Sequence, residues 1–233
     1  MHVVFPQRCL LCGAASVRDL CSPCYASLPH LPPHRCTVCA LPLATSGVCG
    51  ACIANPPAFD RTIAAVSYAF PMDALLHSLK YEAKLALAPV LADLLTAQIG
   101  SDELVDFILP MPLHPAKLRE RGFNQALEIA RRVSKKTGAE LLPLASRRIK
   151  DTRSQTGLPW KEREKNIRGA FTCEADLSGR RIGIVDDVMT TGATVNELAK
   201  ALRKGGACSV SAWVVARTLP GRPEPILKLE PRA

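Results

Sequence analysis

The segment from residue 181 to residue 206 constrains the fold of this 233-residue chain more than any other stretch. Its apolar run at Ile182, Ile184 and Val185 is too short for a helix and predicts a buried strand. An acid pair and a run of small residues then lead into an amphipathic helical pattern, which two glycines end. The acid pair is Asp186 and Asp187, and the small residues are Thr190, Thr191, Gly192, Ala193 and Thr194. The apolar face of the helix is Val195, Leu198, Ala199 and Leu202, and the two glycines are Gly205 and Gly206. The segment therefore predicts one α/β unit with polar residues at its junction.

This junction has the chemistry of a phosphate site. A helix N-terminus carries unpaired N–H groups and a partial positive charge, and the glycine and alanine of the loop let a phosphate approach the backbone closely. The three threonine hydroxyls add donors. The acid pair accepts hydrogen bonds from vicinal hydroxyls or holds Mg²⁺. A 5-phosphoribosyl group, with a phosphate at one end and a diol in its middle, fits both parts.

Residues 185–194, VDDVMTTGAT, resemble the phosphoribosyl pyrophosphate (PRPP) motif of type I phosphoribosyltransferases. The resemblance implies that residues 190–194 bind the 5-phosphate, and that Asp186 and Asp187 bind the ribose hydroxyls directly or through Mg²⁺. Gly183 departs from the pattern, because the family usually has a bulkier apolar residue in that strand. The alternative is an ordinary strand-to-helix turn with Thr194 as N-cap, which accounts for the cap but not for the whole set of residues.

Eight of the ten cysteines form four C-x-x-C pairs near the N-terminus. The pairs are Cys9/Cys12, Cys21/Cys24, Cys36/Cys39 and Cys49/Cys52. One pair bends round a tetrahedral ion and two pairs complete a site of four thiolates, so the spacing predicts two structural zinc ions. A disulfide framework requires an oxidising compartment, and a redox dithiol requires only one pair. The zinc interpretation is therefore favoured.

The cysteine pairs are predicted to share ions in sequence order. Cys9, Cys12, Cys21 and Cys24 on one ion, and Cys36, Cys39, Cys49 and Cys52 on the other, close shorter loops than a cross-braced arrangement. His30 and His34 are expected to be bystanders, because eight thiolates already fill two sites. Cys173 and Cys208 have no partner spacing and are expected to be small buried residues. The Cys-rich segment is too short for a hydrophobic core, so metal binding is expected to supply its folding free energy.

Residues 105–109 predict another buried strand, and a second anion site is predicted directly after it. The sequence PMPLHPAKLRERGFNQ leads from that strand into a helix with Ala126, Ile129, Ala130 and Val133 on one face. Lys117, Arg119 and Arg121 in this basic loop are expected to bind the pyrophosphate. An ordinary basic connection is the alternative for each residue singly.

The net charge of +9 is concentrated in the same part of the chain, where residues 111–168 hold fifteen Lys or Arg against six Asp or Glu. Such a block suggests a polyanionic partner: pyrophosphate, a nucleotide or nucleic acid.

The remaining patterns predict a strand over 62–70, a helix over 72–81 and a helix over 89–98 that begins at Pro89. Lys80 and Tyr81 are weaker candidates for the edge of a ligand site. Residues 147–171 lose periodicity, and a polar segment of this length is either a lid over the site or a disordered insertion. Trp160 within it is a packing anchor or a surface for stacking a base.

Together these stretches resemble the ComF family over nearly the whole chain, to about Thr218. The shared features are a double zinc ribbon, the PMPLHPAKLRERGFNQ segment, a T-x-x-Q sequence with Arg163 and Asn166, and the phosphoribosyl motif. The resemblance implies a type I phosphoribosyltransferase-like, mainly parallel α/β sheet preceded by a small Cys-rich double zinc ribbon. We expect the ribbon at 1–57, the phosphoribosyltransferase-like domain at 58–219 and a disordered tail at 220–233.

The ComF family is associated with competence, the import of single-stranded DNA during natural transformation. One role is a phosphoribosyltransferase that transfers to a base or amine. The other, favoured because zinc ribbons more often serve as docking surfaces, is a module that binds PRPP, a nucleotide or a DNA end and acts with a competence helicase. No general base is predicted. The sequence offers no bilayer span and no export signal, which predicts the cytoplasm.

Overall fold

The computed structural model describes residues 8–151 and 167–220. Its strands are β1 (Arg61–Ser67), β2 (Phe107–Pro110), β3 (Glu140–Leu141), β4 (Ser146–Arg148), β5 (Phe171–Cys173), β6 (Arg181–Met189) and β7 (Ser209–Arg217). Five of them form one sheet in the order β1-β7-β6-β2-β3, in which every neighbouring pair is parallel. The strands β4 and β5 form a separate antiparallel pair. The predicted mainly parallel sheet is confirmed.

Helices cover both faces of this sheet. The helices of the described residues are α1 (Ser22–Ala26), α2 (Gly50–Ala54), α3 (Met72–Tyr81), α4 (Leu87–Thr96), α5 (Pro115–Arg121), α6 (Gln125–Thr137) and α7 (Ala193–Lys204), of which α3, α4, α6 and α7 pack on the sheet. Apolar residues of α3, α4 and α6 pack with Val185 and Trp213, whereas those of α7 pack with Ile184 and Val214. Successive residues of a strand point to opposite faces, which explains the two separate cores. No helix among the described residues is long and apolar enough to cross a membrane.

The bounds of several elements differ from the sequence predictions. Helix α3 has the predicted bounds, but α4 begins at Leu87 instead of Pro89 and ends at Thr96. The proline still lies in the first turn, where an N–H has no intrahelical partner, so its position allows a start two residues earlier. Strand β1 ends at Ser67 instead of residue 70, and β2 covers Phe107–Pro110 instead of 105–109.

The predicted basic loop at residues 117–121 is a helix, α5. The Nδ1 atom of His114 accepts a hydrogen bond from the N–H of Ala116 at 3.3 Å, Pro115 occupies the first turn, and Gly122 ends the helix with a φ of 81°. These are ordinary start and stop signals. The prediction that residues 117–121 form a loop is therefore wrong.

The polar segment 147–171 begins and ends in regular structure. Arg147 pairs with Thr172 and Arg148 with Phe171 in the β4–β5 pair. Residues 152–166, which include Thr152, Gln155, Trp160, Arg163 and Asn166, lie outside the described residues, as does the tail from residue 221. The lid therefore stays a prediction.

The Cys-rich segment packs on the sheet domain, so metal binding is not its only source of stability. Cys9, Leu20 and Leu28 belong to the core on the side of α4, and Ala40 belongs to the core on the side of α7. The boundary between residues 57 and 58 stays a prediction. Cys173 is half-buried, and the prediction that Cys208 is buried is wrong because its side chain is exposed.

Candidate functional site

Two buried acids lie near the carboxyl end of β6, inside the strand. Asp186 is 8% exposed and Asp187 is 3% exposed. As strand neighbours they point to opposite faces of the sheet, so they meet different partners. The acid pair therefore has two distinct environments.

Asp187 is held by residues from two helices. Lys80 Nζ, at the end of α3, forms an ion pair with Asp187 Oδ2. Gln125 Nε2, at the start of α6, donates to Asp187 Oδ1 at 3.3 Å. Arg121 Nη1 donates in turn to Gln125 Oε1 at 2.5 Å, and its guanidinium lies 5.5 Å from the centroid of the Tyr81 ring. A continuous polar chain thus joins α5 to the acid pair.

The two carboxyl groups have opposite pKa shifts. Burial and the negative charge of Asp187 raise the pKa of Asp186 well above its ordinary value. Burial also opposes ionisation of Asp187, but the ammonium group of Lys80 outweighs it and lowers the pKa of Asp187. Burial likewise opposes the charge of Lys80, yet Asp187 raises the pKa of Lys80. Asp187 is therefore the more readily ionised carboxyl group of the pair.

The loop of residues 190–194 ends β6 and begins α7. Gly192 is the N-cap residue with a φ of 83°, and the Thr191 hydroxyl accepts a hydrogen bond from the N–H of Ala193 at 3.2 Å. Thr194 is therefore not the N-cap. The first backbone bond of α7 runs from the N–H of Asn196 to the carbonyl of Gly192 at 2.8 Å. The amides of Thr194 and Val195 precede this bond, so helix geometry leaves them for an anion.

The three basic residues predicted for the pyrophosphate site have different environments. Arg121 is half-buried and joins the polar chain to Asp187 through Gln125. Lys117 is exposed and pairs with Glu120 at 2.6 Å, and Arg119 is exposed on the same helix. Arg121 is thus the member of the set that the fold brings to the acid pair.

Three residues around the site had no role in the sequence reasoning. Gln125 stands in a quoted segment but contacts Asp187 only because α6 starts at the same edge of the sheet. Arg148 lies over the Phe171 ring at 5.7 Å; burial lowers the pKa of Arg148, and the negative charge of Asp186 opposes that shift. Arg217 ends β7 and is 2% exposed. Tertiary structure alone brings these residues to the site.

The eight cysteines form two clusters. In each, the ligand atoms lie within 4.8 Å of one another: the first cluster is Cys9, Cys12, Cys21 and Cys24, and the second cluster is Cys36, Cys39, Cys49 and Cys52. The Sγ atoms of Cys12 and Cys21, and those of Cys39 and Cys49, are 3.7 Å apart. Zn–S bonds of about 2.3 Å in a tetrahedron place sulfur atoms about 3.8 Å apart. The chain thus has two zinc sites of four cysteines each, and the sequential pairing is confirmed.

Backbone amides favour the thiolate form of Cys36 in the second cluster. The N–H groups of Cys39 and Cys49 donate to Cys36 Sγ at 3.5 and 3.3 Å. Burial raises the pKa of Cys36, but these N–H groups outweigh it and lower the pKa to about 7. A thiolate is the form that binds zinc. His30 and His34 are not members of either cluster.

Two parts of the chain match known protein families. Residues 1–53 match the double zinc ribbon domain, and residues 120–229 match the phosphoribosyl transferase domain. Together with the parallel sheet and the two cysteine clusters, these matches define a class of proteins in which a double zinc ribbon precedes a phosphoribosyltransferase-like domain.

Full-length relatives narrow this class. The DNA utilization protein YhgH of Escherichia coli (strain K12) is 33% identical over 224 residues, which cover 92% of this chain and 98% of that protein. Competence protein F of Haemophilus influenzae is 30% identical over 226 residues, 91% of this chain and 98% of that protein. The chain belongs to this ComF family. Among solved structures, glutamine PRPP amidotransferase from B. subtilis is 17% identical over 56% of this chain and 26% of that chain, with a TM-score of 0.39.

Proposed function

We propose that this protein binds PRPP, or a related phosphoribosyl or nucleotide ligand, at the carboxyl edge of its sheet. The observation that carries the proposal is the direct succession of two buried acids and the 190–194 loop at the start of α7. The 5-phosphate binds the loop amides and the threonine hydroxyls, and the ribose hydroxyls bind Asp186 and Asp187. The pyrophosphate faces the basic side of the site formed by Arg121 and Lys80, with Lys117 and Arg119 farther out on α5.

Magnesium fits the same residues. Carboxylate oxygens are preferred Mg²⁺ ligands, and Asp186 and Asp187 supply them beside the expected position of the pyrophosphate. When bound, Mg²⁺ neutralises phosphate oxygens. The ion pair between Lys80 and Asp187 already places one positive charge there.

The biological role that we infer is the handling of imported single-stranded DNA, together with a competence helicase, in the cytoplasm. Relatives carry the names DNA utilization protein and Competence protein F. The exposed side of α6 carries Arg131, Arg132, Lys135 and Lys136 against the acids Glu128 and Asp93, and this excess of positive charge supports contact with a polyanion. Zinc thiolate sites also suit a reducing compartment.

Phosphoribosyl transfer to a base or amine is the second candidate function. Lys80 and Arg121 lie where positive charge would stabilise a departing pyrophosphate, which favours this chemistry. In that reaction the acceptor forms a bond to C1 of PRPP as the bond from C1 to pyrophosphate breaks.

Calorimetric titration with PRPP and Mg²⁺ tests the binding proposal. Wild type is expected to give a saturable heat, and the Asp186→Ala, Asp187→Ala double variant none. Because the double variant leaves Lys80 without its partner, Asp186→Asn provides a milder test that keeps the ion pair. Asp102→Ala, at an exposed acid remote in sequence from the loop, is the control. Equal heats in wild type and both site variants would refute the proposal.

Two assays separate the roles. Release of pyrophosphate from PRPP across a panel of bases and amines tests transfer, and a rate equal to that without acceptor counts against it. Single-stranded DNA binding is expected to weaken steeply with salt, because phosphate contacts release counterions. An affinity that does not change between low and high salt excludes a role for this basic surface.

A further inference from the structure

Arg217 is a buried cation between the second cluster and the 190–194 loop. Its Nε atom donates to the carbonyl of Cys39 at 2.8 Å. Its Nη1 atom donates to the carbonyls of Met189 at 3.0 Å and Thr218 at 2.8 Å, and to that of Thr190. These four partners are neutral carbonyl groups, and within residues 8–151 and 167–220 no carboxylate pairs with Arg217, so the charge of this buried guanidinium is balanced from farther away.

The second cluster supplies that balance. Four thiolates and one Zn²⁺ sum to a charge of −2, since four negative charges outweigh two positive ones. Arg217 reaches this cluster directly, because its Nε atom binds the carbonyl of the ligand Cys39 at 2.8 Å. The metal-bound cluster therefore acts as the counter-charge of Arg217.

The same guanidinium orients the loop amides. The C=O and N–H of a trans peptide point in opposite directions. When Arg217 holds the carbonyls of Met189 and Thr190, the N–H groups of Thr190 and Thr191 point away from it. Those two N–H groups belong to the loop whose amides the proposed function assigns to the 5-phosphate.

Other contacts fasten the second cluster to this region. The hydroxyl of Thr62 in β1 donates to the carbonyl of Val38 at 2.6 Å, and the backbone N–H of Thr62 donates to the carbonyl of Thr37 at 3.2 Å. Ala40 shares a buried cluster with Met189. The first cluster packs elsewhere, in the core on the side of α4. It therefore provides an internal control.

We propose that Arg217 couples the metal state of the second cluster to the conformation of the 190–194 loop. With zinc bound, the turn between Cys36 and Cys39 fixes the Cys39 carbonyl, and Arg217 transmits that position to the loop. Loss of the ion releases the turn and with it the position of the Cys39 carbonyl that Arg217 binds, so the loop loosens. The coupling is reciprocal, and a loop held in place slows zinc loss from the second cluster.

The test compares wild type with Arg217→Met, both loaded with zinc and without ligand. Each protein is treated with a chelator and an alkylating reagent, and every cysteine is followed by peptide mass spectrometry. In the variant, alkylation of Cys36, Cys39, Cys49 and Cys52 is expected to be about tenfold faster, with the first cluster unchanged. Hydrogen exchange at residues 190–194 is expected to accelerate by a similar factor.

Arg203→Met is the matched control. Arg203 binds both carboxylate oxygens of Asp60 at 2.6 and 2.7 Å, which ties residues before β1 to α7 without touching the second cluster. It is expected to leave the relative rates of the two clusters as in wild type. Equal acceleration of both clusters in Arg217→Met would overturn the proposal.

Wild type alone supplies a second test if Arg217→Met does not fold. Exchange at residues 190–194 is expected to rise once the chelator has removed the ion from the second cluster. Exchange that stays constant through this removal would also overturn the coupling. Neither measurement uses PRPP, so a failure of ligand binding is distinguishable from a failure of the coupling.

Discussion

Replacing Lys80 with methionine tests the polar core of the site. The change leaves Asp187, whose side chain is 4% exposed, without its cation, while the aliphatic part of the side chain is retained. Removing one partner of a buried ion pair costs about 3–5 kcal/mol. We expect about 3 kcal/mol, at the lower end of that range, because the Lys80 side chain is 21% exposed and Gln125 still donates to Asp187. For a chain of this size the melting temperature should fall by about 6–12 °C.

The loss should depend on pH. In wild type the pKa of Asp187 is lowered, so its stabilising contribution is present above the unfolded value of about 3.9 and is lost as pH falls through the folded value. In the variant, burial is no longer opposed by Lys80 and the pKa of Asp187 rises. The variant therefore loses less on acidification, and its deficit is largest at neutral pH and narrows toward about pH 5.

The assay is urea and thermal unfolding in buffer that contains zinc. Lys84→Met is the matched control, because Lys84 and its partner Glu82 are 59% and 45% exposed and such pairs contribute less than about 1 kcal/mol. Asp187→Asn in the Lys80→Met background should recover part of the loss by removing the isolated charge. Equal melting temperatures for Lys80→Met and Lys84→Met, or a deficit that does not change with pH, would refute the reasoning.

Binding of PRPP with Mg²⁺ should weaken as pH falls and should release a proton, because Asp186 has a raised pKa and must ionise to bind the ligand. Titrations in buffers of different ionisation enthalpy measure the released proton. An affinity that stays constant with pH would contradict this prediction. Ala83→Gly should stabilise the protein by about 1 kcal/mol in thermal unfolding, because Ala83 has a φ of 51°, a conformation that favours glycine. Ala74→Gly should destabilise the protein by a similar amount, because Ala74 lies inside helix α3. A shared sign would contradict this. Native mass spectrometry should find two zinc ions in wild type and one in Cys36→Ser, and two ions in the variant would contradict the cluster assignment.

Local patterns were sufficient to predict much of the architecture. The bounds of α3, the apolar first half of β6 and the helix α7, which Gly205 caps, follow from periodicity and stop signals. The cysteine spacing was sufficient to assign ligands to both clusters. Helix α5 could also have been predicted from the sequence, because Pro115 and Gly122 are ordinary helix boundaries.

The interior of the site was not predictable in the same way. Lys80 meets Asp187 because α3 is oriented to bring its last turn to β6, and no local pattern specifies that orientation. In the sequence, Arg217 is one basic residue at the end of an apolar strand. In the fold it contacts Cys39, which lies 178 positions away. Contacts of such sequence separation depend on the packed fold.

A crystal structure of the protein with PRPP and Mg²⁺ tests the central claim most directly. The account predicts the 5-phosphate on the backbone amides of residues 190–194 and the ribose hydroxyls at Asp186 and Asp187, directly or through the ion. A sugar phosphate bound elsewhere, or a loop whose amides stay clear of it at saturating ligand, would contradict the account.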